Sequence, residues 1–281
     1  MDSMRRSRVS PRIRGWRGCS DRPPLRAGGR VSRPASRLTG SPGHGAGAIL
    51  PSLRGGAVAG RVVLTVLLLA ASMTGSGEQI LPPGYGMLGY TAPAPGTYEL
   101  PVLDDAADGV VLSSDGREMR LHEVFGGANV LLSFVYSTCR DTAGCPLATA
   151  VLHRIKQRLQ QAPEIAGRLR LVTLSFDPAH DTPEVMRLYG EGLKGPGVDW
   201  RFLTTASADQ LAPILASYNQ SVMKEYDEQG EPTGDFAHVL RVYLIDREKR
   251  IRNIYSVSFL HPDLLVNDVE TVLLEQDKRQ W

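Results

Sequence analysis

The chain has 281 residues with 32 basic and 30 acidic side chains, a net charge of +2, but that charge is unevenly distributed. Residues 1–73 hold 13 arginines, no lysine and two acids, a local charge of +11, which leaves residues 74–281 at −9. An acidic remainder without a basic stripe interleaved with aromatics excludes nucleic acid as a partner of the folded part.

The basic leader ends at Arg61, and residues 62–71 (VVLTVLLLAA) form an apolar run. That run is too short for a membrane span of about 20 residues and has the length of the apolar segment of an export signal. Positive charge in front of it holds that end on the cytoplasmic side. Residues 62–73 are therefore expected to be a signal or a retained anchor, which makes the membrane a partner and places the rest of the chain outside the cytoplasm. A signal occupies about 15 to 30 residues, so the longer stretch before the run points either to a start assigned too far upstream or to an organelle transit sequence. The Arg5-Arg6 pair lies too far from the apolar run to act with it. Cys19 falls in this leader, outside any site, and no cysteine follows the run closely enough for a lipid anchor.

Residues 74–101 are rich in Pro, Gly and Tyr and read as an extended linker. Residues 102–281, about 180 in all, fit one domain. Residues 110–113 and 117–121 flank a turn and suggest a small hairpin. Residues 130–136 then form an apolar, β-rich run that breaks at Ser137, Thr138 and Cys139. After five residues comes Cys145, followed by Pro146. Proline favours the first helical position, which makes Cys145 the expected cap of a helix whose apolar face is Leu147, Val151, Leu152, Ile155 and Leu159. A thiol at a helix N-terminus has its thiolate favoured by the dipole, and the thiolate attacks disulfides and binds soft metals.

Residues 169–176 are a second buried strand, parallel to the first. A loop dense in cap residues, 175–183, leads into a helix opened by Pro183. A short strand at 200–204 follows, then a helix carrying Leu211, Ile214, Leu215 and Tyr218, its start marked by the capping-box spacing of Ser207 and Gln210. The polar, Gly-containing residues 219–235 read as a mobile loop. Residues 239–245 and 251–257 alternate as a hairpin, and a helix over 262–274 closes the chain. Apart from the extra strand and helix near 200–218, this is the thioredoxin-like order: an α/β fold with a mixed sheet and helices on both faces.

In that topology the strand after residue 238 lies antiparallel to the cysteine-bearing strand, so its start faces the other's end. His238 should then lie beside the Cys139 loop. Two sulfurs and an imidazole suit copper, whereas structural zinc wants a fourth ligand that the sequence does not supply. A structural staple between the cysteines competes with this reading, but so short a loop removes little unfolded-chain entropy, and the pair sits at the carboxyl end of a strand, where α/β sheets place ligands. A thiol-disulfide oxidoreductase, with Cys139 attacking and Cys145 resolving, also remains open. Against it, Ala237-His238-Val239 lacks the proline expected opposite the cysteines of such a reductase. A peroxidase of the peroxiredoxin type would carry Pro and Thr before Cys139, and they are missing. The remaining histidines have local explanations: His153 by solvation beside Lys156 and Gln157, His180 by its turn, His122 by its place after the small hairpin and His261 by the helix start.

Phe134 to Cys139, Cys145-Pro146, Ser175-Phe176-Asp177-Pro178 with Asp181-Thr182-Pro183, and His238, taken in order, resemble the Sco/SenC family of thioredoxin-fold copper-handling proteins. The resemblance runs from about Tyr98 to the C-terminus. It implies that Cys139, Cys145 and His238 are copper ligands and that the domain faces the periplasm or, alternatively, the mitochondrial intermembrane space. It also implies a copper-accepting partner such as a cytochrome c oxidase subunit, and a thiol-disulfide reductant. Asp177 falls in the family's Asp-Pro signature, although a turn explains it equally well. One departure stands out: the family usually places three residues between its cysteines, and here there are five. The longer loop is expected to be less preorganised and to lower affinity.

Overall fold

A computed structural model describes residues 81–279 of the chain. The basic leader, the apolar run at 62–73, Cys19 and residues 74–80 of the expected linker lie outside the described residues. Among the described residues no helix is long and apolar enough to cross a membrane.

The chain begins with Asp104–Asp105 (β1), Val110–Ser113 (β2), Glu118–Arg120 (β3), Leu121–Phe125 (α1), Asn129–Val135 (β4) and Cys145–Arg158 (α2). It continues with Pro163–Ala166 (α3), Leu169–Ser175 (β5), Pro183–Glu191 (α4), Asp199–Thr204 (β6) and Ala208–Ser217 (α5). It closes with Val222–Tyr226 (β7), Pro232–His238 (β8), Val242–Ile245 (β9), Arg250–Tyr255 (β10) and Pro262–Lys278 (α6). Eight strands make one mixed sheet in the order β1-β10-β9-β4-β5-β6-β2-β3, and β7 and β8 pair separately.

All seven residues of β4 are buried, as a strand covered on both faces requires. Its side chains alternate between two cores. Leu131 joins Leu147, Val151, Ile155 and Leu171 beneath α2 and α6, while Leu132 and Phe134 join Phe125, Val172 and Tyr243 on the other face. Each fully buried side chain of this size contributes about 1.5 to 3 kcal/mol. Parallel pairing of β4 with β5 runs from Asn129↔Leu169 to Val135↔Ser175, so the loops that follow Val135 and Ser175 emerge side by side. The expected antiparallel neighbour is present as well, with Ser133 opposite Val242.

Two expectations need correction. Helix α2 starts at Cys145 itself, with Gly144 as its cap, so Pro146 is second in the helix and the thiol lies inside the first turn. Residues 219–235 are largely an antiparallel hairpin, Val222 pairing with His238 and Met223 with Ala237. Gly230, at φ 84°, makes its turn. The ribbon is solvated over most of its length, and this hides the apolar alternation that marks a half-buried strand. Consequently His238 ends β8, and β9 begins only at Val242.

From residue 81 the Pro/Gly-rich stretch is extended but held against the fold. Its one helical turn, Pro83–Tyr85, sits on α2, where Arg154 donates to the Gly84 and Tyr85 carbonyls at 2.9 and 2.8 Å. Gly84 is required there: a Cβ would lie 2.3 Å from the Leu260 carbonyl oxygen and 2.8 Å from the Val151 side chain. Further on, Asn267 donates to the Pro93 carbonyl at 2.8 Å, and the Gly96 N–H donates to Thr271 at 3.0 Å, both on α6.

Candidate metal centre

Three elements supply the site. The end of β4 delivers Cys139 after Tyr136, whose carbonyl accepts from the Cys139 N–H at 3.2 Å. The first turn of α2 delivers Cys145, and the end of β8 delivers His238. Both cysteines are free thiols, Cys139 half-buried and Cys145 buried. One ligand atom from each of the three residues lies within 4.8 Å of the other two. The His238 Nε2 is 3.6 Å from the Cys145 sulfur. Among the described residues this is the one cluster of three or more Cys, His, Asp or Glu side chains with such spacing.

The imidazole is oriented from behind. Its Nδ1 lies 3.1 Å from the Phe236 carbonyl, which can only accept, so Nδ1 carries a proton and Nε2 is the ring atom left to face the Cys145 sulfur as a ligand. Aromatic contacts hold it in place: His238 lies edge-on to Tyr136 at 5.7 Å and packs on Phe176 at 5.2 Å. Phe236 touches the same two rings at 5.0 and 5.5 Å. The hairpin is thus fastened to the site by Phe236 and His238.

The two thiols are unequal. Hydrogen bonding from the Cys145 thiol, helped by the Cys145 and Asp141 N–H groups and the Tyr136 hydroxyl, lowers the Cys139 pKa to about 6 against the effect of burial. The Cys145 pKa is driven up by its hydrogen bond to Cys139, by burial and by the neighbouring thiolate charge. The start of α2 therefore stabilises a thiolate, as expected at a helix N-terminus. That thiolate is on Cys139 rather than on the helical Cys145.

Asp181 anchors the cysteine loop, a role that its loop position did not reveal. It is fully buried and accepts from the Ser137 N–H at 2.9 Å, from the Ser137 and Ser175 hydroxyls, and from His180 at 3.0 Å. These donors offset the cost of burying a carboxylate. The flush ends of β4 and β5 bring Ser137 and Asp181 together. Asp177 keeps its turn role, its carbonyl accepting from the Asp181 N–H at 2.8 Å, and its pKa is raised by burial and by Asp181. His153 is not explained by solvation, because its Nδ1 is buried without a hydrogen-bond partner. It lines a largely apolar groove of about 530 Å³ shared with Cys139, Cys145, Pro146 and Leu193. Lys156 is buried too, donating to the Gly195 carbonyl at 2.9 Å. His122 bonds the Ala106 carbonyl and His261 caps α6.

Two sulfurs and one nitrogen form a soft donor set that suits copper, whereas closed zinc sites take four ligands. Such a pair of unequal thiols can equally exchange with a disulfide.

Comparison with known proteins adds the fold's relatives. The chain is similar to Arabidopsis thaliana ScoI with copper bound, at 20% identity and TM-score 0.51 over 60% of this chain and 98% of that one. It is similar to apo Sco1 from Thermus thermophilus, at 24% identity and TM-score 0.51 over 66% of this chain and 99% of that one. A SCO1/SenC family lipoprotein from Bacillus anthracis matches at 20% identity and TM-score 0.51, covering 62% and 97%. These likenesses establish the thioredoxin-like Sco fold. No curated protein matches in sequence. The SCO1/SenC family model matches residues 110–274. That span runs from β2 into the last turns of α6 and takes in both thiols and the imidazole, so this chain belongs to the SCO1/SenC family.

Proposed function

We propose that the protein holds copper through Cys139, Cys145 and His238 and delivers it to a respiratory copper site, that of cytochrome c oxidase. The observation that carries this reading is the convergence of the three donors within 4.8 Å from three separate elements. Copper is the cargo, and it leaves by ligand exchange to an acceptor with softer or more numerous ligands. A thiol-disulfide reductant keeps the two cysteines able to bind. The basic leader and apolar run support an exported domain, tethered at the membrane and facing the periplasm or the intermembrane space. Titrating the reduced full chain with Cu(I) under anaerobic conditions tests the reading. One equivalent should bind, and unchanged binding by His238→Ala would remove the imidazole from the site.

A second reading is supported by the inequality of the thiols. The Cys139 thiolate would attack a partner disulfide, displacing one partner thiolate. Cys145 would then attack Cys139 in the mixed disulfide and release the second, leaving the partner reduced and Cys139–Cys145 oxidised. Turnover of a disulfide substrate by metal-free protein is its test. Stoichiometric copper binding without turnover leaves the first reading alone.

A further inference from the structure

We infer that Tyr85 is a positioning residue for the metal centre, a strut through which the N-terminal strap holds the loop between the two cysteines. The inference deepens the copper-holding role, and its copper arm rests on that reading.

Residues 140–144 form a five-residue loop, exposed over 140–142 and buried at Gly144, whose internal bonds are few. The Gly144 N–H donates to the Asp141 carbonyl at 2.9 Å, and the Ala143 N–H donates to the Asp141 side chain at 2.9 Å. Among the described residues, α2 reaches this loop only at its end, where the Leu147 and Ala148 N–H groups donate to the Gly144 carbonyl, and one hydrogen bond reaches it from a distant part of the chain: the Tyr85 hydroxyl donates to the Thr142 carbonyl at 2.9 Å across 57 residues. The preceding residue, Asp141, directs its N–H at the Cys139 sulfur. Fixing the peptide after Thr142 therefore limits how far that N–H, and with it the sulfur, can wander.

The other end of the strut is firmly seated. The Pro83–Tyr85 turn cannot slide, because Arg154 grips two consecutive carbonyls and Gly84 fits with no room for a Cβ. Arg154 lies on α2, the helix that begins with Cys145. One helix thus carries one thiol and, through the strap, braces the loop that carries the other. Holding the sulfurs near each other but unbonded preorganises them for one ion.

The test compares the full chain with Tyr85→Phe, which removes the hydroxyl and keeps the ring. Releasing one ordinary hydrogen bond should weaken Cu(I) affinity by roughly threefold to tenfold. It should also shift the equilibrium of the metal-free protein with glutathione disulfide toward the Cys139–Cys145 disulfide by a similar factor, two thiols being oxidised as one glutathione disulfide is reduced. Gly84→Val, which lifts the whole turn, should reproduce both changes; if that variant does not fold, Tyr85→Phe still decides. Failure of the unaltered protein to bind copper would sink the copper reading alone, since the glutathione equilibrium still reports on Tyr85. A Tyr85→Phe protein identical to the unaltered one in the glutathione equilibrium would overturn the strut.

Discussion

The sulfur side and the nitrogen side of the centre are built differently. Cys145 and the strand leading to Cys139 belong to the core: β4 is buried throughout, Cys145 is 1% exposed, and Asp181 ties down the intervening turn. His238 instead ends a two-stranded ribbon outside the main sheet, solvated over most of its length and fastened at its base by the Phe236 and His238 rings and by Val222 against the core. The contrast separates two tasks, since the core sets where the sulfurs are while the ribbon decides whether the nitrogen is engaged. On the copper reading proposed above, a site built this way would retain an ion on two sulfurs while its third donor comes and goes.

Breaking the core side should cost most. Cys145→Ser should lower Cu(I) affinity by about a thousandfold, as loss of a soft ligand from a three-donor set implies; competition with a chelator of known affinity measures it. Asp181→Ala should leave the Ser137 N–H and the Ser175 hydroxyl without their acceptor. That change is expected to lower stability by about 2 to 4 kcal/mol in chemical denaturation, with loss of copper following from the freed loop. On the ribbon side, His238→Ala should weaken Cu(I) binding by about a hundredfold and leave stability nearly unchanged. Phe236→Ala keeps all three donors but loosens the ribbon. Two lost aromatic contacts predict about a tenfold loss of affinity, read mainly as faster release in stopped-flow transfer to a chelator.

The smallest effect sharpens the comparison further. The groups that lower the Cys139 pKa lie in Cys145, Asp141 and Tyr136, none of them on the ribbon. Alkylation of Cys139 in the metal-free protein should rise as pH increases through about 6, because the thiolate is the reactive form and the lowered pKa moves its appearance down from the ordinary thiol range. His238→Ala should keep that midpoint. A midpoint displaced by a full unit would show that the imidazole tunes the thiols and that the two sides are not independent.

The same division explains what could be read from the chain alone. β4, α2 and β5 were legible because buried strands are continuous apolar runs and α2 places Leu147, Val151 and Ile155 at helical spacing. His238 was found from sheet topology, although by assigning it to the start of β9 rather than the end of β8. The ribbon itself was not legible. With polar residues on both faces it has no period to detect, and its few apolar side chains do not show from the sequence that Val222 and Phe236 touch the core while Met223 and Tyr226 face solvent. Asp181 read as a turn residue because its partner, Ser137, is 44 positions away and adjacent only through the parallel register. Nothing around Gly84 announces that the strap turns there onto α2.

The ribbon's length has a mechanical consequence. Strands rise about 3.3 Å per residue, so the bend at Gly230 stands on the order of 25 Å from the imidazole. An acceptor that grasped the far tip would work a long lever about a short fulcrum at Phe236. A wide swing outside would become a smaller retreat at the ring, and on the copper reading proposed above that retreat would open a seat for an incoming donor while the sulfurs stay on the buried side of the site.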